Sequence, residues 1–226
     1  RRAGWRGQWR SVVSARPTGL ITNNLSNAYA DTGEMTVLLT YTYAADQWTA
    51  GKQTANLQGA PFGFDENGGW HPFICGDANS KVSGIPSKLL YSGDLNNSYN
   101  IDVDSTGVYA PFETGHTKVL LISWNKAGKG MLVVNGKVYQ SALASRAMTN
   151  SSSLCVGDLS PARSDGDAPF RGDIHSISVM NYCLNYEAAL SVVYNYMNKT
   201  LSATERARLS TSDQYLISQM NTHIQL

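Results

Sequence analysis

Hydrophobic and polar residues alternate most clearly between residues 35 and 43. Met35, Val37, Leu39, Tyr41 and Tyr43 share one side of an extended chain, while threonines occupy the other side. Alternation of aromatic and β-branched residues predicts a half-buried strand. Residues 118–124 form a nearly continuous apolar run instead, which is typical of a strand covered on both faces.

The dipeptide Asn135-Gly136 gives the clearest local prediction. It separates residues 131–134 from residues 137–140, and both runs are rich in strand-forming side chains. Asn-Gly is the preferred pair for a two-residue type I′ turn, because both central residues of that turn need a positive φ. The sequence therefore predicts a β-hairpin here.

Residues 44–117 are rich in Gly, Asn, Asp, Ser and Pro, which favour turns. Short apolar clusters at residues 73–75, 89–91 and 108–109 predict short strands between long loops. Further strands are expected at residues 154–157 and 174–180, with a loop between them.

Helical signals occur only at the end of the chain. Asn185 is expected to cap one helix with Glu187 in its first turn. Ser202 and Glu205 fit a capping box for a second helix that extends to about Met220.

Many short strands followed by late helices predict an all-β, antiparallel jelly-roll β-sandwich with C-terminal helices. The expected division is a basic N-terminal arm at residues 1–24, the sandwich domain at residues 25–200 and a helical extension at residues 201–226. The extension is a candidate oligomerisation element.

The charge of the chain limits the kinds of partner that it is expected to bind. The formal net charge is +1, so a general affinity for nucleic acid or an anionic membrane is not expected. Five arginines within the first sixteen residues are either an ordinary solvated terminus or a contact for an acidic partner.

Cys75, Cys155 and Cys183 are widely spaced, which leaves open one disulfide with a free thiol or three buried thiols. No apolar run reaches the length of a membrane span, so membrane insertion is not expected.

Three segments together resemble a known family. They are HTKVLLISWNKAGKGMLVVNGKVYQSA at residues 116–142, LCVGDL at residues 154–159 and FRGDIHSISVMNYCLNYEAALSVVYNYM at residues 170–197. In this order they resemble the concanavalin A-like lectin/glucanase superfamily, specifically its laminin G-like and pentraxin-like branch. The resemblance implies a concanavalin A-like sandwich, and it covers neither the N-terminal arm nor the last helix.

The third segment also contains the tripeptide Arg171-Gly172-Asp173, which is known from cell-adhesion ligands. The resemblance assigns Phe170 to the core and Gly172 to a close approach of two backbones, so the tripeptide is expected to serve the fold. A β-bulge between Ile174 and Ile177 would restore the alternation that their spacing of three interrupts.

Few features of the sequence indicate catalytic activity. The superfamily includes glycoside hydrolases, which need two carboxylates on either side of the glycosidic bond. Their motif, E-x-D-x-x-E or E-x-D-x-E, does not occur, and Asp102 with Asp104 is a poor substitute without a third acid. Serine elbows, nucleotide-binding loops and zinc-protease motifs do not occur either. We therefore expect a protein without catalytic activity.

Several residues are candidates for ligand or metal binding. Aromatic and polar side chains of the loop-rich half fit the recognition of a sugar or a protein partner, and they are Trp48, Trp70, His71, Tyr99 and Tyr109. Trp70 follows two glycines, which either present it at a loop tip or let it cover one end of the sandwich. Two acidic pairs could bind calcium or could simply form turns, and they are Asp102 with Asp104 and Asp165 with Asp167.

The sequence thus predicts a recognition or attachment module. The first hypothesis is a carbohydrate-binding module of a secreted, cell-surface or viral fibre protein. The alternatives are a structural virion domain that binds a protein partner and a glycoside hydrolase of the same fold, since one fold hosts all three functions.

Overall fold

The computed structural model shows a sandwich of two six-stranded sheets with three helices on one side. It describes residues 7–9, 20–23, 34–49, 59–64, 73–77, 79–91, 99–125, 127–143, 153–157 and 170–222. The strands are β1 (Gly7–Trp9), β2 (Leu20–Asn23), β3 (Glu34–Tyr43), β4 (Phe62–Phe64), β5 (Phe73–Gly76), β6 (Lys81–Val82), β7 (Ile85–Pro86), β8 (Lys88–Tyr91), β9 (Tyr99–Asp102), β10 (Thr117–Asn125), β11 (Lys129–Val134), β12 (Lys137–Ala142), β13 (Ser153–Val156) and β14 (Gly172–Met180).

Sheet A has the order β1-β14-β3-β10-β11-β12, and sheet B has the order β2-β13-β4-β5-β8-β9. All of these neighbours pair in the antiparallel sense. Strands β6 and β7 form a separate small hairpin. The predicted antiparallel sandwich with C-terminal helices is confirmed.

The main core lies between the two sheets and contains inward side chains of both. Trp124 of β10 is buried there, as expected from the apolar run around it. The prediction that β3 is half-buried is wrong, because its other side is covered too: Thr36 and Thr40 are fully buried. Their hydroxyls bond to those of Ser123 and Ser176, so the polar side of β3 is buried with its hydrogen bonds satisfied.

The predicted hairpin joins β11 to β12. Asn135 has a φ of 47° and Gly136 has a φ of 90°, and Val134 pairs with Lys137 across the turn. Both central residues thus have the positive φ of a type I′ turn, which confirms the prediction. The Asn135 side chain adds two bonds, since its Oδ1 accepts from the amide of Val119 and its Nδ2 donates to the carbonyl of Val108.

The Arg-Gly-Asp tripeptide has a structural role at the start of β14. Phe170 is buried in the main core, and Gly172 pairs with Tyr43 of β3. The Arg171 guanidinium contacts the Asp46 carboxylate at 2.7 Å. The register of β14 on β3 shifts between Ile174 and Ser176, so the predicted bulge is present. The tripeptide is therefore the start of a paired strand.

Three helices follow: α1 (Tyr186–Thr200), α2 (Ala203–Ala207) and α3 (Thr211–Thr222). The Asn185 cap and the Ser202–Glu205 capping box form as predicted. The single second helix that the sequence predicted is divided in two, since Ser210 provides a new cap by accepting from the amide of Asp213. Of the helices in the described part of the chain, none is long and apolar enough to cross a membrane.

The helices cover the outer side of sheet A. Apolar side chains of β3, β10 and β11 form a second core with α1, α3 and the segments that join the helices. The members from this side are Ala189, Val193, Tyr194, Met197, Leu201, Leu209 and Ile217. Parts of the predicted arm and extension thus belong to the packed structure: β1 and β2 pair with β14 and β13, and Leu209 and Ile217 belong to this core. Strands can pair with segments that are distant along the chain. The early segments β1 and β2 therefore form edge strands of the two sheets, and the late helices cover sheet A.

The cysteines do not form the disulfide that the sequence left open. The backbones of Cys75 and Cys155 lie on β5 and β13, with β4 between them. Two strand spacings amount to about 9.6 Å, which exceeds the reach of a disulfide. Neither Cys75 nor Cys183 is disulfide-bonded.

Candidate functional site

The loop between β9 and β10, residues 103–116, lies at one end of the sandwich and was expected to contain ligand-binding residues. Its carbonyl groups are bound by side chains of the sandwich. Lys118 Nζ donates to the carbonyls of Gly107 and Val108, and Asn135 Nδ2 donates to that of Val108 as well. The hydroxyl of Tyr139 donates to the carbonyl of Tyr109, the hydroxyl of Tyr41 to that of Pro111, and Trp48 Nε1 to that of Phe112. The strand predicted at residues 108–109 is therefore wrong, because these carbonyls bond to side chains and not to a neighbouring strand.

An ion-pair network underlies this loop. Lys118 is completely buried, and its Nζ lies 2.6 Å from Glu113 Oε2, while Arg208 contacts the other oxygen of Glu113 at 2.6 Å. Burial lowers the pKa of Lys118, and the bond to Glu113 opposes that effect. Burial alone would raise the pKa of Glu113, but the bonds from Lys118 and Arg208 lower it overall. Glu113 therefore stays ionised and joins the sandwich interior to the helices.

Tyr109, a predicted ligand-binding residue, has its hydroxyl engaged within the protein. It donates to Asp213 Oδ2 at 2.5 Å and accepts from the amide of Ser210 at 3.0 Å. Burial raises the pKa of Tyr109, and the bond to Asp213 adds to the effect. The half-buried ring thus connects the β9–β10 loop to α3.

Trp48, the second predicted ligand-binding aromatic that the structure describes, packs at the edge of the main core. Its ring centroid lies 5.3 Å from that of Tyr43 and 5.8 Å from that of Phe112, and its Nε1 donates to the Phe112 carbonyl at 2.8 Å. Gly59 leaves the space for this ring, because a Cβ there would lie 2.6 Å from Trp48 Cη2. These contacts explain the position of Trp48 without a ligand, and its role in binding stays a prediction.

Of five further predicted binding residues, the structure describes only the backbone of Tyr99. The backbone of Tyr99 pairs with Tyr91 at the edge of sheet B. Trp70 and His71 lie outside the described residues, as do Asp165 and Asp167. Their proposed roles stay predictions.

Asp102 and Asp104, the other predicted calcium ligands, each face a lysine. Asp102 Oδ1 lies 3.8 Å from Lys88 Nζ, and Asp104 Oδ2 lies 2.6 Å from Lys137 Nζ. Among the described residues, no group of three or more His, Cys, Asp and Glu side chains is arranged to bind a metal. A calcium ion here would need oxygen ligands from amides or backbone carbonyls as well.

The outer side of sheet B carries polar residues at its β8–β9 edge, although Leu90, which pairs with Asn100 on the same side, is buried. Sheet A is covered by the helices over β3, β10 and β11. On sheet B the inward members of β8 and β9 include the paired Leu89 and Ile101, so Lys88, Asn100 and Asp102 point outward. Asn100 and Asp102 are exposed and Lys88 is half-exposed. We call these three residues the β8–β9 row.

The β8–β9 row is the candidate site that the described structure supports best. An ammonium, an amide and a carboxylate lie on neighbouring strands, with Lys88 directly opposite Asp102. Together they can donate to and accept from a polyhydroxylated ligand. Asp102 is a candidate from the sequence alone, whereas Lys88 is not, because only the pairing of β8 with β9 brings the two residues together.

Comparisons with known proteins support the fold. No family model matches the chain, and no curated protein sequence matches it. The carbohydrate-binding module CBM40 of a Ruminococcus gnavus IT-sialidase, bound to α2,3 sialyllactose, is similar with a TM-score of 0.54 at 15% identity, over 82% of this chain and 97% of that one. The same module bound to α2,6 sialyllactose has a TM-score of 0.54 at 13% identity, over 84% and 98%.

A Trypanosoma rangeli sialidase in complex with sialic acid is also similar, with a TM-score of 0.47 at 13% identity, over 77% of this chain and 24% of that one. At these identities the similarity concerns the fold alone. The chain has an antiparallel β-sandwich fold, and the concanavalin A-like, laminin G-like resemblance stays a prediction.

Proposed function

We propose that the protein is a non-catalytic recognition module whose ligand is a carbohydrate. The observation that carries the proposal is the exposed β8–β9 row on sheet B, opposite the helix-covered side of sheet A. The fold similarity to modules whose structures contain sialyllactose supports it further.

The chemistry of the row suits sugar hydroxyls. Asp102 accepts hydrogen bonds, Lys88 donates them and Asn100 does both, so a pair of neighbouring hydroxyls can be bound from two strands at once. The ion pair of Lys88 with Asp102 is long and exposed, so breaking it for a ligand costs little. Tyr99, next to Asn100 in β9, is the nearest predicted aromatic in the sequence.

Substitutions in the row should weaken glycan binding without destabilising the fold. We expect Asn100→Ala and Asp102→Ala each to lower the affinity about tenfold, since each removes hydrogen bonds to the ligand. The melting temperature should stay unchanged, because both side chains are exposed. The measurement is a glycan array that includes sialyllactose and β-glucans, followed by calorimetric titration of the best ligand.

The matched control is Asp173→Ala, which removes an exposed carboxylate from β14 of the other sheet and should leave the affinity unchanged. Equal affinity of all variants and the parent would refute the row as the site. Absence of any glycan ligand would refute the proposal and favour a module that binds a protein partner. Release of a sugar product by the parent would instead favour the hydrolase alternative.

Calcium is the proposed cofactor, with Asp102 and Asp104, or Asp165 and Asp167, as ligands. Binding to the folded state should then raise the melting temperature in millimolar calcium relative to chelator. The shift should disappear in the Asp102→Asn or the Asp165→Asn variant, depending on which pair binds the ion. Identical melting curves with calcium and with chelator would leave the four acids as turn-forming and ion-pairing residues.

An extracellular, cell-surface or virion setting and an oligomer formed through the C-terminal helix belong to the same proposal. Modules that bind glycans act where glycans are displayed, which motivates the setting. The exposed side chains of α3, Tyr215 and Leu216, motivate the oligomer.

A further inference from the structure

The polar side of β9 continues beyond the β8–β9 row. Ile101 and Val103 are buried in the main core, whereas the alternating Asp102 and Asp104 have partly exposed side chains. The amide of Val103 donates to the carbonyl of Ser87, so the extended chain is held one residue beyond the end of β9. The alternation of the strand therefore places Asp104 on the same side of the chain as Asp102.

Asp104 lies where the edges of the two sheets meet. Strand β9 is the last strand of sheet B and β12 is the last strand of sheet A, and Lys137 Nζ of β12 lies 2.6 Å from Asp104 Oδ2. The same ammonium group lies 4.7 Å from the centre of the Tyr139 ring, and the amide of Asp104 donates to the Tyr139 hydroxyl at 3.4 Å. We call Lys137 and Asp104 the edge pair.

Two lysine–aspartate pairs thus lie along β9. One is the edge pair, and the other is Lys88 with Asp102, whose charged atoms are 3.8 Å apart. Each of the four side chains is at least 36% exposed, so both pairs are open to a ligand. At about 3.3 Å per residue, the chain from Asn100 to Asp104 spans about 13 Å. A ligand that contacts both pairs must therefore be longer than one sugar ring.

The chemistry of the two pairs favours an uncharged ligand. A sugar hydroxyl both donates and accepts, so one hydroxyl can accept from the lysine of a pair and donate to the aspartate. A ligand carboxylate only accepts, so it would face the aspartate oxygens without a hydrogen bond. The formal charges of the four side chains cancel, and each lysine already has a carboxylate beside it. Exposed ion pairs are weak, so a hydroxyl can enter them at little cost.

We propose, on the basis of the carbohydrate function proposed above, that the ligand is an uncharged oligosaccharide that lies along β9. One of its units contacts the β8–β9 row and a later unit contacts the edge pair. Lys137 and Asp104 are then binding residues for the later unit. Asp104 binds its hydroxyls directly, without a bridging ion.

Ligand length and substitutions at the edge pair test the proposal on the 226-residue chain. The probes are β-glucan oligosaccharides and lactose-based oligosaccharides, the latter with and without sialic acid. We expect the parent to bind a neutral hexasaccharide at least about tenfold more tightly than the matching disaccharide, because only the longer ligand reaches both pairs. Calorimetric titration in chelator gives the affinities and keeps calcium from joining the two carboxylates.

Lys137→Met should abolish the gain with length and leave the affinity for the disaccharide unchanged, whereas Asn100→Ala should weaken the binding of both ligands. Asp104→Ala removes the acceptor of the edge pair and should act as Lys137→Met does. The matched control is Lys129→Met, which removes an exposed lysine at the far end of the same hairpin and should keep the gain. Melting temperatures of all variants should equal that of the parent, because these side chains are exposed or half-exposed.

The outcomes separate this proposal from the carbohydrate function itself. Tighter binding of the sialylated form than of its neutral counterpart would overturn the uncharged ligand and leave the carbohydrate function in place. Equal affinity of the parent for short and long ligands would overturn the extended site, as would a gain with length that persists in both edge-pair variants. Failure of every glycan to bind would overturn both proposals.

Discussion

Gly172→Ala should destabilise the domain by about 3 kcal/mol or more, because this position requires both an unusual φ and a close backbone contact. Gly172 has a φ of 137°, which side-chain-bearing residues rarely adopt. A Cβ on it would lie 2.0 Å from the carbonyl oxygen of Thr42. That carbonyl belongs to β3, so the clash cannot be relieved by turning a side chain and must separate β14 from its partner strand.

The measurement is the denaturant midpoint at constant slope, which reports stability under two-state unfolding. Gly84→Ala is the matched control, since Gly84 also has a positive φ, of 84°, but a Cβ there would meet nothing within 4 Å. Its cost should be about 1 kcal/mol. Equal costs for the two substitutions would show that β14 and β3 tolerate the added methyl group, and the explanation of the Arg-Gly-Asp tripeptide would lose its basis.

Lys118→Met should be about as damaging, with an expected cost of about 3–5 kcal/mol. Met has a similar length, but it leaves Glu113 and two carbonyls of the β9–β10 loop without their buried donor. Lys137→Met is the matched control, because the ion pair of Lys137 with Asp104 has the same 2.6 Å distance but is partly exposed. The control should cost at most about 1 kcal/mol. A loss no larger than the control's would mean that water replaces the lysine donor.

The same variant changes how stability depends on pH. The pKa of Glu113 is lower in the folded protein than its ordinary value, so ionised Glu113 contributes stability that is fully present above the unfolded pKa of about 4.3. This contribution is lost as the pH falls through the lower, folded pKa. Lys118→Met removes one of the two cations that lower this pKa, so the loss of stability in acid should become smaller. Stability curves measured between neutral and acid pH provide the check.

Local signals predicted the elements whose conformation depends on neighbouring residues. Asn135-Gly136 forms its type I′ turn, Asn185 caps α1, and Ser202 with Glu205 forms a capping box. Each of these depends on φ preferences or hydrogen bonds within a few residues, which the sequence contains in full. The bulge in β14 was predictable for the same reason, because the spacing of Ile174 and Ile177 interrupts a period of two.

The candidate site was only partly predictable. The sequence shows Asp102 as an acid in a turn-rich region, but its partner Lys88 lies on another strand, β8. The aromatic candidates Trp48 and Tyr109 follow from residue type alone. Their hydrogen bonds to Phe112 and Asp213 depend on a loop and a helix that are distant in sequence.

By itself, the sequence determined that this protein is an antiparallel sandwich with late helices, because alternation, turn dipeptides and caps act over short distances. Only the tertiary structure decided that Lys118 is a buried ion-pair donor and that Thr36 and Thr40 are buried on the helix-covered side of β3. It also decided that β1 and β2, from the basic segment at residues 1–24, pair with β14 and β13. Burial and strand neighbours depend on which distant segments meet in space, and no local pattern specifies that meeting.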